Sequence, residues 1–421
     1  MALAGTSPLN ADMFDVKGKP PGIISDSLRK QLWGEYTHVK QCFPKGNNYP
    51  DHVKYKVTRL TSADWKALSV VSPYPASIIG LGACAPTQRP ETSRDLWDQN
   101  KPPNPIETVG EQKNYGDQLE AEQLAAFWFE MGLTTYRRTN KPDVAKVVTE
   151  ALVSWAKSKA LSRNQYDGPE FKFPVTLLIE AMQNAFFELA ATMTPEDRAT
   201  IGSYLNGEIA EVELAGASRP SNHDNLYAYM GAIWGLAAND RLAVKQAIDS
   251  YKRNIQDMRP DGSWPIDSQR GANANQYVSM ATGDLVMLAA LLKSRLGLDL
   301  FSYEVDGRSI HTAVNYVLKM IEDPKGTSLK YALACTHGDF MDNGVLRTRE
   351  NPITDYAKLN GRAGRSFNEV AFLAVYSSLF PKSAAAKWVE QNIPETYKFA
   401  VPTHFLQAVP ACLLNARNPT E

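Results

Sequence analysis

From about Leu119 onward, apolar residues recur at helical spacing and rarely alternate as a strand requires. Leu124, Ala125, Trp128, Phe129 and Leu133 form one stripe within Leu119–Tyr136. Pro142 opens the next helix, with Val144, Val147, Val148, Ala151, Leu152 and Trp155 on one face. Pro174–Met193 is almost wholly apolar, which predicts deep burial. Thr194, followed by Pro195, Glu196 and Asp197, is an N-cap with an acidic first turn and starts a helix towards Leu214. Further helices are predicted at about Asn222–Ala238, Arg241–Asp257, Asn275–Leu296, Ile310–Ile321, Phe367–Leu379 and Ala384–Asn392. Strand signals are sparse: small hairpins are predicted at Ser302–Arg308 and around Gly338–Thr348. The expected class is therefore all-α. Hairpins of roughly 35–45 residues suit a toroid of paired helices. No GxGxxG, P-loop or βαβ alternation is present, which disfavours a nucleotide-binding α/β fold.

Residues 1–60 are rich in Pro, Gly and Lys and read as an extended N-terminal arm with one short helix near Ser25–Trp33. Residues 61–421 read as one helical domain. Pro86–Gly116 is polar and Pro-rich and is expected to be a long surface loop, of the kind that serves as a lid.

Composition narrows the function. The chain has 421 residues, 43% hydrophobic and 22% charged, with a formal net charge of −1. That balance lacks the electrostatic footprint of a nucleic-acid binder, while an anionic substrate needs only a local cluster of Arg, Lys and His. No apolar run reaches the roughly 18 residues of a membrane span. The 8 Trp and 18 Tyr serve equally well as sugar platforms or as helical-core packing. Cys42, Cys84, Cys335 and Cys412 form no CxxC pair, so no metal is expected; they are long-range disulfides or buried thiols. Met1–Pro8 carries no basic segment and no long apolar run. A periplasmic or secreted protein whose export signal lies outside this sequence is the expectation.

Two segments concentrate candidate chemistry. In Pro220-Ser221-Asn222-His223-Asp224, Ser221 or Asn222 is a good N-cap. His223 then falls in the first helical turn, where the positive helix end favours neutral imidazole. A capping turn with a functionless, partly buried His explains the same residues. The second segment runs from Arg259-Pro260-Asp261-Gly262-Ser263-Trp264-Pro265 to Arg270-Gly271-Ala272-Asn273-Ala274-Asn275-Gln276-Tyr277. Pro-Asp-Gly is a turn, Pro presetting φ and Gly accepting positive φ. If the following helix includes Arg270, then Arg270, Asn273 and Tyr277 share a face at i, i+3 and i+7. Such a face could grip one sugar ring; an ordinary surface Arg and a core Tyr are the plainer account.

Asn222-His223, Asp261-Gly262-Ser263-x-Pro265 and Arg270-Gly271-Ala272-x-Ala274-x-x-Tyr277 together resemble the signature of the alginate lyase family, whose relatives include mannuronate-specific alginate lyases and glucuronan lyases. Trp155-Ala156-x-x-x-Ala160-Leu161 resembles a core segment of the same family. The match spans roughly residues 120–300. The resemblance implies an incomplete (α/α) toroid of six or seven helix pairs and a long groove. It implies β-elimination without metal or cofactor on an anionic polysaccharide, with Asn222, His223, Arg270 and Tyr277 as the catalytic set. Asn273, Tyr227, Trp264, Arg362 and Arg365 are candidate substrate contacts, Arg362 and Arg365 from the basic loop Gly361–Arg365. Tyr229 and Trp128 line a groove or pack the core. His311 and His337 have no partner by spacing and read as structural. The lid segment of alginate lyases has no clear match here, which places glucuronan slightly ahead of polymannuronate.

These residue types suit the reaction. A uronate C5 proton is weakly acidic until its carboxylate is neutralised, and Asn222, His223 and Arg270 offer an amide, an imidazole N–H and a guanidinium for that. In β-D-mannuronate and β-D-glucuronate, H5 and O4 lie on the same side, so one group serves as base and then acid. Tyrosine fits, because a neighbouring cation lowers its reference pKa of about 10. In α-L-guluronate the geometry is anti, and His223 is the candidate base. A glycoside hydrolase on a similar toroid is the rival, with Asp224, Asp261 and Asp267 as possible carboxylates. A non-catalytic polysaccharide-binding protein is the third reading. Nothing in the sequence sets the oligomeric state; a monomer is slightly favoured.

Overall fold

In the computed structural model the described residues are 9–20, 25–33, 60–67, 98–110, 115–161, 172–214, 222–269, 274–323, 326–327, 330–331, 341–342, 345–346, 370 and 372–392. They are almost entirely helical. The main helices are α1 (Asp26–Leu32), α2 (Ser62–Ala67), α3 (Pro105–Gly110), α4 (Tyr115–Thr139), α5 (Pro142–Ser158), α6 (Lys172–Leu189), α7 (Pro195–Leu214), α8 (Asn222–Ala238), α9 (Arg241–Asp257), α10 (Ala274–Leu296), α11 (Ile310–Glu322), α12 (Phe372–Leu379) and α13 (Ala384–Asn392). The long helices match the predicted ones to within a few residues.

Several helix ends lie where local chemistry places them. Pro142 stands in the first turn of α5, and Lys159 ends it in the left-handed region at φ 51°. Asp240 caps α9 by accepting from the Leu242 and Ala243 backbone N–H groups at 3.0 and 3.3 Å. Thr194 Oγ1 accepts from the Asp197 N–H at 3.1 Å and opens α7.

The predicted lid loop is corrected within 86–116, because Pro105–Gly110 is helical. Asn104 Oδ1 accepts the Ile106 N–H at 3.0 Å, so a cap and a following Pro nucleate a short helix there. A second short helix, α2, also had no counterpart in the periodicity. Thr61 and Asp64 cap it reciprocally: Asp64 N donates to Thr61 Oγ1 at 3.2 Å and Thr61 N to Asp64 Oδ2 at 2.8 Å. Its fully buried Trp65 meets the Phe186 and Trp234 rings edge-on at 5.7 and 5.2 Å.

Successive helices pair as hairpins, α4 with α5, α6 with α7, α8 with α9, α10 with α11 and α12 with α13. Every second helix also packs on the next: α4 on α6, α6 on α8, α8 on α10 and α10 on α12 form one layer, and α5 packs on α7 outside it. Burial differs between the helices, and α9, which lies under the N-terminal arm, is also buried along most of its length. In α8 and α10 nearly every position is buried, whereas α5 and α11 bury one stripe. This two-layer ring of helical hairpins is an (α/α) toroid.

Val305 and Arg308 bridge across Asp306 and Gly307 at φ 50° and 71°, and Met341–Asp342 pairs with Val345–Leu346, as the two predicted hairpins require. The described parts of the N-terminal arm lie against α8 and α9. Leu9 N donates to Asn239 Oδ1 at 3.2 Å, Lys252 Nζ to the Asp15 carbonyl at 2.8 Å, and the Trp33 indole to the Asp257 carbonyl at 2.8 Å. Among the described residues no helix is long and apolar enough to cross a membrane. The four cysteines lie outside the described residues.

Candidate active site

Asn222 is the first residue of α8, so His223 stands in the first turn, as expected. Over residues 222–235 every position except His223 is buried. On α10, residues 274–292 are buried except Gln276 and Tyr277. Near its start each of these two inner helices therefore opens at one place, and that place carries the predicted histidine or tyrosine.

The two openings lie at the same end of adjacent helices. Asn225 Nδ2 donates to the Ala281 carbonyl at 3.0 Å, directly joining α8 to α10. His223 is two residues before Asn225 and Tyr277 four before Ala281. At about 1.5 Å per residue, both sit about 3–6 Å from that junction, towards the helix starts. Packed helix axes lie about 8–10 Å apart, a gap within the combined reach of a histidine and a tyrosine side chain. A second link ties the starts together: the Asn222 backbone N–H donates to Asp267 Oδ2 at 3.0 Å, in the 3₁₀ turn just before α10. Asn222 is buried, and its Oδ1 accepts no hydrogen bond among the described residues.

The loop leading to α10 is built around Arg259. Gly262 N donates to the Arg259 carbonyl at 2.9 Å, closing the predicted turn, and Gly262 adopts φ +94°. The Arg259 guanidinium donates to Ser263 Oγ at 3.2 Å, Ser268 Oγ at 2.6 Å and the Trp33 carbonyl at 2.9 Å. It lies 3.9 Å from the Tyr331 ring centroid. Burial pushes Arg259 down to about 10, with Tyr331 and Asp261 pulling the other way, so it stays cationic at neutral pH.

The three acids weighed for a hydrolase are all engaged structurally. Asp224 Oδ2 accepts from Ser250 Oγ and Asn254 Nδ2, both at 2.8 Å, which anchors α8 to α9. Asp261 accepts from Lys330 Nζ, the Tyr331 hydroxyl and Ser263. Burial alone would raise its pKa; those hydrogen bonds outweigh it and hold the carboxyl below its ordinary value. Asp267 is fully buried and holds α8.

Two expected sugar contacts are corrected. Trp264 is 2% exposed and its indole N–H donates to Thr282 Oγ1 at 2.8 Å, so its ring packs beneath the site. Tyr227 is also buried, its hydroxyl 3.4 Å from Thr176 Oγ1. Tyr229 and Trp128 are core residues as well. Of the conditional face formed by Arg270, Asn273 and Tyr277, only Tyr277 lies on the described helix, which starts at Ala274. Arg270, Asn273, Arg362, Arg365 and His337 lie outside the described residues. His311 is structural, its Nδ1 2.6 Å from the Tyr376 hydroxyl. Sequence reasoning missed Asn225, and it weighed Asp267 only as a hydrolase acid.

A toroid with a half-buried histidine and tyrosine at paired helix starts defines a class of helical polysaccharide lyases. The alginate lyase family model matches residues 86–327, more than half of the chain, and the chain belongs to that family. It is 25% identical over 228 residues to a polysaccharide lyase of Stenotrophomonas maltophilia (strain K279a), covering 52% of this chain and 68% of the relative. Solved structures of alginate lyase A1-III share the fold. A histidine-to-alanine variant complexed with tetrasaccharide matches with TM-score 0.56 at 18% identity, covering 84% of this chain and 98% of that one. A tyrosine-to-phenylalanine variant, also complexed with tetrasaccharide, matches with TM-score 0.55 at 18% identity, covering 86% and 99%. The enzyme from Sphingomonas species A1 matches with TM-score 0.54 at 18% identity, covering 83% and 97%. The protein is a polysaccharide lyase, and its substrate is a polysaccharide.

Proposed function

We propose that the protein cleaves a β-1,4-linked polyuronate, glucuronan or polymannuronate, by syn β-elimination and leaves a 4,5-unsaturated uronate end. Asn222, His223 and Arg270 neutralise the substrate carboxylate, so that charge flows onto it as the C5–H bond breaks. Tyr277 removes the C5 proton and returns it to O4, which departs as the C4–O4 bond breaks and the C4=C5 double bond forms. Glucuronate and mannuronate differ at C2, away from these bonds, so the same groups serve both.

One observation carries the reading: in two largely buried neighbouring helices, the accessible positions near the starts are His223 and the Gln276–Tyr277 pair. The tetrasaccharide complexes of A1-III, obtained with a histidine or a tyrosine replaced, support the same two residue types. A hydrolase would need two carboxylates facing the bond, about 5–9.5 Å apart. The acids at hand are instead engaged by Ser250 and Asn254, by Lys330 and Tyr331, and by the Asn222 N–H.

The test incubates the protein with glucuronan, polymannuronate and polyguluronate while following ultraviolet absorbance from the conjugated double bond. Absorbance should rise with the first two polymers. New reducing ends without absorbance would overturn elimination in favour of hydrolysis.

A further inference from the structure

The first turn of α8 is held from two sides. Ser250 and Asn254 on α9 grip Asp224 from one side, each at 2.8 Å. On the other, Asp267 Oδ2 takes the Asn222 N–H at 3.0 Å, across 45 residues of chain. Both ends of that contact are buried, Asn222 at 1% and Asp267 at 0% exposure. His223 lies between the two grips. A carboxylate oxygen at the first free N–H of a helix does the work of a local N-cap, and its charge suits the positive helix end.

The residue that follows Asp267 is held in place. Ser268 N donates to the Trp264 carbonyl at 3.0 Å, and Arg259 holds Ser268 Oγ at 2.6 Å. Asp267 Oδ2 accepts the Asn222 N–H while a second acid lies close by. Asp284 on α10 is pushed well above its ordinary pKa, first by burial and then by the charges of Glu180 and Asp267.

We propose that Asp267 is a positioning residue. It caps α8 from the loop that leads into α10, and so sets the Asn222 amide and the His223 ring relative to Tyr277. The inference rests on the catalytic reading above. It also makes the Asp-Gly-Ser-x-Pro loop part of the catalytic apparatus without any contact to sugar: the loop carries the cap of a different helix.

The experiment compares Asp267→Ala with Asp267→Asn on a polymer that the wild type cleaves. Asp267→Ala removes the acceptor; kcat per folded molecule should fall on the order of a hundredfold, with KM within about threefold. In Asp267→Asn the amide oxygen still accepts, so kcat should stay within about tenfold of wild type. Hydrogen exchange of the 222–226 amides should accelerate in Asp267→Ala and far less in Asp267→Asn. A wild-type kcat in folded Asp267→Ala overturns the proposal. So does a loss in Asp267→Asn as deep as that of a dead enzyme, which would mark the carboxylate as a reacting acid; this arm holds even if Asp267→Ala does not fold. An inactive wild type would instead sink the catalytic reading, and the cap would then stand or fall on the exchange data alone.

Discussion

The Asn225 side chain reaches from α8 to the Ala281 carbonyl of α10, Nδ2 donating at 3.0 Å. It lies two residues beyond His223 on one helix and meets the other four residues beyond Tyr277, so it ties the two helices together within about one turn of both proposed reacting groups. Asn225→Ala removes the donor and leaves a small void at a site 1% exposed. Stability should fall by about 1–3 kcal/mol, read as a lower denaturant midpoint at constant slope. Turnover should fall more than binding does, because the loss is one of alignment. An Asn225→Ala protein with reduced stability and unchanged kcat would show that the junction holds the fold but not the site.

Tyr277 is proposed to handle both the leaving C5 proton and the departing O4. Tyr277→Phe keeps the ring and loses the hydroxyl, so kcat should drop by about a thousandfold or more, with substrate affinity near that of wild type. Steady-state absorbance assays paired with binding measurements on the same polymer separate the two. Unimpaired turnover would remove Tyr277 from the chemistry.

The order of the helices was legible because burial of one face imposes a 3.6-residue period, as in Val144, Val148, Ala151, Leu152 and Trp155 of α5. Helices α2 and α3 were not, since six residues are too few to show a period. Their caps, Thr61 with Asp64 and Asn104 before Pro105, were the available signal. Within the site, Asn222, His223 and Tyr277 stood out through the resemblance to the alginate lyase family; by residue type and spacing alone a capping turn and a core tyrosine explained them as well. Trp264 and Tyr227 could not be assigned, because an aromatic ring suits a sugar or a core equally well and only the packing decides. The contacts of Asp267 with Asn222 and of Asn225 with Ala281 span 45 and 56 residues, and no local pattern encodes such pairings.

Gly262 is the point where the Pro-Asp-Gly turn presses on α11. It adopts φ +94°, and a Cβ there would lie 2.2 Å from the Thr312 carbonyl oxygen and 2.6 Å from its carbon. Backbone cannot give way as a flexible side chain can. Gly262→Ala therefore combines left-handed strain with a clash and should cost about 2–4 kcal/mol. Because the turn leads to Asp267, activity per folded molecule should fall too, whereas Gly297→Ala, also at positive φ but with open space around its Cβ, should leave activity intact. Chemical denaturation and turnover on both variants check the contrast.

Asp257 makes stability depend on pH in an uncommon direction. It ends α9 beneath the N-terminal arm, with Arg29 Nε at 3.6 Å from its Oδ1. Burial pushes its carboxyl up to about 7, against the opposing pull of Arg29, Arg253 and Arg308. In the unfolded chain the same group loses its proton near 3.8. Between those values the native state binds the extra proton, so this group's contribution to stability falls as pH rises from about 4 to about 7 and levels off above that. The full span is at most about 4 kcal/mol. Asp257→Asn mimics the protonated acid and should match wild type near the bottom of that window. Towards neutral pH it should become the more stable of the two, flattening that part of the profile. Thermal unfolding of both proteins at half-unit steps between pH 4.5 and 8 measures this, and parallel profiles would mean that Asp257 is ionised in the native state throughout.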